Sequence, residues 1–162
     1  MPDVPVNGAP DLNLNGPLVL VVDDNDGFAA LVTAVLMSVG CRVDRAASGV
    51  EGLRKVASLA PALILLDLHM PEMDGIEVLK RLRARPPFDK IPVIVLTATT
   101  SIDDVTAACR LGAKDYVTKP IDPANLITKV QRGLPARYRQ RPSSAGQLPT
   151  VLKDQEDRTV LV

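Results

Sequence analysis

Between Leu18 and Gly133 the chain alternates five times between a short strand-like segment and a longer one of helical periodicity. The strand segments are Leu18–Val22, Arg42–Ala46, Ala62–Asp67, Pro92–Leu96 and about Ala113–Thr118. Short apolar runs of this kind read as strands covered on both faces, as in a parallel sheet between helices. The connections between them are too short for any crossover but a helix, which implies parallel strands in right-handed βαβ units. The expected fold class is therefore α/β, a three-layer (βα)₅ sandwich around a parallel five-stranded sheet.

Local signals place the helices. Phe28, Leu31, Val32, Val35, Leu36 and Val39 recur at helical spacing, and Gly40 closes that helix in the manner of a left-handed cap. Ser48 with Glu51 forms a capping box for a second helix that Pro61 ends, and Asp74 with Glu77 repeats the pattern for a third, halted by Pro86-Pro87. Ser101 with Asp104 caps a fourth helix that Gly112 ends. Asp122-Pro123 supplies N-cap and first turn of a fifth, running to about Arg132 with Gly133 after it.

In a parallel sheet the carboxyl ends of the strands share one edge, where ligands bind. Four segments put polar groups there: Asp23-Asp24, Asp67, Thr97 just past the fourth strand, and Lys119. Read singly they are bland, Asp24 as a helix N-cap, Lys119 as a solvated loop charge, Thr97 as a strand end. Read jointly they conflict, because two carboxylates about 4 Å apart at an effective dielectric near 20 repel by roughly 4 kcal/mol. A divalent cation and a lysine ammonium remove the conflict, and hard oxygen ligands in a small wet acidic cluster suit Mg²⁺.

Composition excludes several alternatives. The 162 residues carry 19 basic and 19 acidic side chains, a balance that removes the usual electrostatic ground for nucleic-acid binding and leads us to expect no direct DNA contact. No apolar stretch approaches the ~20 residues needed to span a bilayer, and the N-terminus lacks the basic and apolar blocks of a secretory signal, so a cytoplasmic protein without membrane contact is expected. Cys41 and Cys109 are far apart and His69 is the sole histidine, which argues against a zinc site. Residues 1–16 read as a flexible leader, 17–133 as the folded domain and 134–162 as a tail. That tail holds a basic segment, Arg137 to Arg141, that reads as a solvated linker, and apolar patches at Val151-Leu152 and Val160-Leu161-Val162 that read either as frayed ends or as a segment pairing with a partner or with a second copy in a homodimer.

Together the acidic pair Asp23-Asp24, the run Leu65-Leu66-Asp67-Leu68-His69-Met70-Pro71-Glu72-Met73-Asp74-Gly75, the pair Thr97-Ala98 and the run Gly112-Ala113-Lys114-Asp115-Tyr116-Val117-Thr118-Lys119-Pro120 resemble the receiver domain of bacterial two-component response regulators. The resemblance covers about residues 18–133 and implies a CheY-like, flavodoxin-like strand order 2-1-3-4-5. It implies that Asp67 is the phosphoacceptor for a histidine kinase or histidine phosphotransferase. By the same resemblance Asp24, Asp67, Asp23 partly through water, and the His69 backbone carbonyl hold Mg²⁺, and Lys119 and Thr97 contact the phosphoryl group. It further implies that Tyr116 is a switch aromatic, that Ala98 leaves the phosphate an approach path, that His69 and Thr99 tune hydrolysis, and that the Lys119-Pro120 bond is cis. Tyr116 as a simple packing residue and His69 as a merely exposed one stay open.

With only 29 residues after Gly133, too few for an ordinary output domain, the expected role is a stand-alone response regulator that is not an enzyme beyond its own phosphorylation and dephosphorylation, acting on a downstream protein target. Two alternatives share the site: a phosphorelay shuttle that passes the group to a histidine phosphotransferase, and a degenerate receiver acting only as a binding or dimerisation module. A phosphatase-type hydrolase would need a second acidic group where the chain has His69.

Overall fold

The computed structural model describes residues 15–98 and 101–139. Most of the leader, Thr99 and the tail from residue 140 on, with its apolar patches, lie outside the described residues. Five strands, β1 (Leu18–Val22), β2 (Arg42–Ala46), β3 (Leu63–Asp67), β4 (Val93–Thr97) and β5 (Asp115–Thr118), form one parallel sheet of order β2-β1-β3-β4-β5. Between and after them run α1 (Asp26–Met37), α2 (Gly49–Leu59), α3 (Gly75–Arg83), α4 (Ile102–Arg110) and α5 (Pro123–Gly133). The fold is the expected flavodoxin-like three-layer α/β sandwich.

Alternation along each strand sorts the core into two sides. Val19, Val21, Leu63, Leu65, Ile94, Leu96 and Val117 face α1 and α5, which contribute Ala29, Val32, Leu36, Leu126 and Val130. Leu20, Val22, Ile64, Leu66, Val93 and Val95 face α2, α3 and α4, met by Val56, Val78, Leu79, Leu82 and Ala108. The central strands β3 and β4 are buried along their whole length, which explains their unbroken apolar sequence.

Several local expectations shift. Leu31 has helical spacing but is 49% exposed, because α1 buries the stripe through Ala29, Val32 and Leu36 instead. The α1 helix stops at Met37, and Gly40 makes its left-handed turn three residues later, at φ 87°, as the chain swings into β2. At α2 the Ser48 hydroxyl accepts the Glu51 N–H at 3.2 Å, yet the Glu51 carboxylate reaches back to the Ala47 N–H at 2.9 Å, one residue beyond the usual capping box. At α3 Asp74 accepts the Glu77 N–H at 2.8 Å while the Glu77 side chain pairs with Arg81 at 3.0 Å. Thr97 is the last residue of β4, paired with Thr118, instead of lying past the strand.

Arg83, in the last turn of α3, has no distinguishing signal in the sequence, yet it knots three segments together. Its guanidinium donates to the carbonyls of Asp89 and Ile91 on one side and of Leu111 and Gly112 on the other. The packed chain also runs past Gly133: Leu134 is buried in the α1/α5 side and Tyr138 packs against it, within a short 3₁₀ turn at Ala136–Tyr138. The Arg139 guanidinium donates to the Leu134 carbonyl at 3.3 Å, so the chain through Arg139 still contacts the domain while Arg137 and Arg139 themselves stay exposed.

Candidate functional site

Each of the polar groups expected at the sheet's carboxyl edge is carried there by a strand, and β1, β3 and β4 are the buried ones. Asp23 follows β1 and is fully buried, its main-chain N–H donating to the Ala46 carbonyl at 3.0 Å. Asp67 closes β3, buried like the four apolar residues before it. Thr97 closes β4, also buried, and its carbonyl accepts the Lys119 N–H at 2.9 Å, which aligns the chain after β5 with β4. Asp24 is exposed at the rim.

The side chains converge. Carboxylate oxygens of Asp23, Asp24 and Asp67 all lie within 4.8 Å of one another. Lys119 Nζ stands 2.8 Å from Asp23 Oδ2 and 3.4 Å from Asp67 Oδ2. Main-chain donors take the other oxygens: the Asn25 N–H donates to Asp23 Oδ1 at 2.8 Å and the His69 N–H to Asp67 Oδ1 at 3.1 Å. Against the ammonium lies the Phe28 ring, its centroid 4.2 Å from Nζ, in cation–π range. The peptide bond from Lys119 to Pro120 is cis, as expected, and so is Pro86-Pro87, for which the sequence offered no sign.

Burial raises the Asp67 carboxyl above its ordinary range, and the Asp23 charge adds to this, while the His69 N–H and Lys119 work in the opposite direction. One lysine against three carboxylates leaves the cluster short of positive charge. The donor set is all hard oxygen, so an added cation of Mg²⁺ type fits it chemically.

Around this centre the remaining expected residues occupy distinct places. His69 is half-exposed, and its Nε2 lies 3.3 Å from Asp104 Oδ2 in the first turn of α4. Ala98 directly follows β4 and is exposed. Tyr116 on β5 is 40% exposed, with Lys129 Nζ 4.7 Å from its ring centroid. That ammonium also donates to the Tyr116 carbonyl and pairs with Asp115 at 3.3 Å.

Four contributors escaped sequence reasoning: Phe28 against Lys119, the Asn25 amide on Asp23, Arg45 donating to the Asp23 carbonyl at 3.1 Å, and Asp104 beside His69. Asp104 had a sequence signal only as a capping position. Arg45 carries none, because β2 is an edge strand whose charged residues read as solvent-facing.

A family model described as the response regulator receiver domain matches residues 19–131. The transcriptional regulatory protein PrrA of Mycobacterium tuberculosis is 38% identical over 135 residues, covering 83% of this chain and 55% of PrrA. An uncharacterized 14.6 kDa protein of Leptolyngbya boryana is 40% identical over 114 residues, 70% of this chain and 87% of that protein. Among solved structures, the chemotaxis response regulator CheY4 of Vibrio cholerae superposes with a TM-score of 0.69 at 32% identity, over 74% of this chain and 99% of CheY4. The chain spans about half the length of PrrA and of similar curated relatives. No helix among the described residues is long and apolar enough to cross a membrane.

Proposed function

The chain belongs to the response regulator receiver family, whose members are signalling modules of two-component systems that work with histidine kinases, and from that premise we propose that Asp67 accepts a phosphoryl group and that its phosphorylation is the signal. The single observation that carries the reading is the contact of Lys119 with both Asp23 and Asp67 inside a cluster of three carboxylates. Such a grouping is costly to fold and has no structural need for all four charges.

The residues divide the work. An Asp67 oxygen attacks phosphorus as the bond from phosphorus to the donor's imidazole nitrogen breaks, the electron pair leaving with the imidazole and an acyl phosphate forming on Asp67. Lys119 meets negative charge on the phosphoryl oxygens, held in place by the main-chain bond from its N–H to Thr97 and by the Phe28 ring. Asp23, Asp24, Asp67 and the His69 carbonyl would hold Mg²⁺, which when bound supplies further positive charge to the transferring group. Thr97, buried beside Asp67's strand, would donate its hydroxyl to a phosphoryl oxygen, and Tyr116 would move inward from its exposed position when it does. The face of α4, β5 and α5 then presents a different surface to a protein target.

A stand-alone role is supported by the relatives whose own length the match nearly fills, the Leptolyngbya protein and CheY4. Signalling through protein contacts, in place of direct DNA contact, rests on the even charge balance. The PrrA-type relatives, named as transcriptional regulators, are about twice this match in length.

The test is uptake of one phosphoryl group from acetyl phosphate. Wild type with Mg²⁺ is expected to take it up, EDTA to abolish uptake, and Asp67→Asn to remove it. Equal uptake by Asp67→Asn would overturn the assignment.

A further inference from the structure

Arg45 stands where the alternation of β2 calls for an apolar side chain. It shares a face with Val43 and pairs with Val21 of β1, on the side that α1 covers, and its side chain is only 30% exposed. Its Nε is buried and makes no hydrogen bond among the described residues, an arrangement that costs stability. What the guanidinium does make is a hydrogen bond to the main chain of the acidic pair, one terminal nitrogen donating to the Asp23 carbonyl at 3.1 Å. The Asp23 N–H donates to the Ala46 carbonyl at 3.0 Å, so both main-chain groups of Asp23 are held from the end of β2. That end is fixed in turn, since the Lys55 ammonium of α2 donates to the Arg45 carbonyl. An Asp26 carboxylate oxygen also lies 2.6 Å from the guanidinium, but Asp26 is exposed on the first turn of α1, where solvent screens the pair and little is gained.

We propose that Arg45 is a positioning residue for the cation site: by holding the Asp23 carbonyl it sets the plane of the peptide that joins Asp23 to Asp24, and so keeps the Asp24 carboxylate turned toward Asp23 and Asp67. This rests on the reading of the three carboxylates as an Mg²⁺ site. The peptide between Asp23 and Asp24 is planar, so its carbonyl and the Asp24 N–H turn together, and fixing the one orients the other. Asp23 is held by burial and Asp67 by β3, whereas Asp24 is exposed and takes its direction from the main chain that carries it. Charge alone works the other way. A guanidinium beside the cluster repels an incoming cation, so an Arg45 that acted only through its charge would weaken metal binding, and its removal would tighten it. A positioning Arg45 gives the opposite sign.

The experiment titrates Mg²⁺ into the unphosphorylated full chain by calorimetry. Arg45→Met keeps an apolar stem that packs as its neighbours on that face do, and removes the donors and the charge. Its dissociation constant for Mg²⁺ is expected to rise about five-fold, the equivalent of one side-chain hydrogen bond. Arg45→Lys returns a donor on a long stem and is expected to bind within about two-fold of wild type. Phosphoryl uptake from acetyl phosphate divides the same way: slower in Arg45→Met at limiting Mg²⁺, and within about two-fold of wild type once Mg²⁺ saturates, a split that a general loss of stability does not produce. An unchanged or tighter constant in Arg45→Met, no recovery in Arg45→Lys, or an uptake defect that saturating Mg²⁺ leaves in place overturns the proposal. Wild type that binds no Mg²⁺, or Asp24→Ala that binds it as tightly as wild type, strikes the reading of the cluster as a metal site and this proposal with it.

Discussion

Asp67 carries a carboxylate into a place that disfavours its charge. Burial is the largest cause, with Asp23 adding to it and the His69 N–H and Lys119 only partly opposing. The folded carboxyl therefore holds its proton to higher pH than the unfolded one. Below the ordinary carboxylate range both states are protonated and nothing is lost; as pH rises from there through the raised folded value, the folded state loses stability. Asp67→Asn removes it. In EDTA the melting temperature of Asp67→Asn is expected to exceed that of wild type at neutral pH, with the gap closing as pH falls through the carboxylate range; a gap that widens in acid contradicts the sign. At this scale Asp23, Asp67, Thr97 and Lys119 were legible because each ends or follows a strand, so chain position alone sets its place. Phe28, Arg45 and Asp104 were not, because their partners depend on how a helix or edge strand is rotated against the sheet, which no run of residues encodes locally.

At the scale of elements, the junction from β3 to α3 decides whether the site can form. The Gly75 N–H donates to the Leu68 carbonyl at 3.1 Å, and a Cβ at Gly75 would press on the Asp67 carbonyl oxygen and come within 2.8 Å of Leu68 Cα. Both neighbours are backbone and cannot turn aside. Gly75→Ala is expected to lower stability by about 1–3 kcal/mol, as overpacking does, read as a lower urea midpoint, and to slow phosphoryl uptake because the strand end bearing Asp67 must shift. An unchanged midpoint would show that the junction has room. Element existence was legible from apolar runs and caps, while ends moved where a tertiary contact competed. Thr97 joined β4 through its pairing with Thr118, and the chain kept folding to Tyr138 because Leu134 had a core to enter. The Arg83 knot was invisible in the sequence, since an arginine in a last helical turn is already explained by the dipole.

At the scale of the molecule, the order β2-β1-β3-β4-β5 places β3 at the centre, with β1 and β4 on either side. That order brings the acidic pair after β1, the acceptor at the end of β3 and Thr97 at the end of β4 to one crevice, and lets Lys119 reach in from beyond β5. The sequence carries the ends of the strands but not their order, which came from the family resemblance. Helices cover both faces of the sheet behind the crevice, and Tyr116 stands half-exposed on the edge strand β5. The most direct measurement is to load the full chain from acetyl phosphate with Mg²⁺, reduce it with borohydride, and map the modified residue by peptide mass spectrometry. The predicted result is conversion of Asp67, and no other carboxylate, to homoserine, with none formed in EDTA. Modification at Asp23 or Asp24, or an unmodified chain, would contradict it.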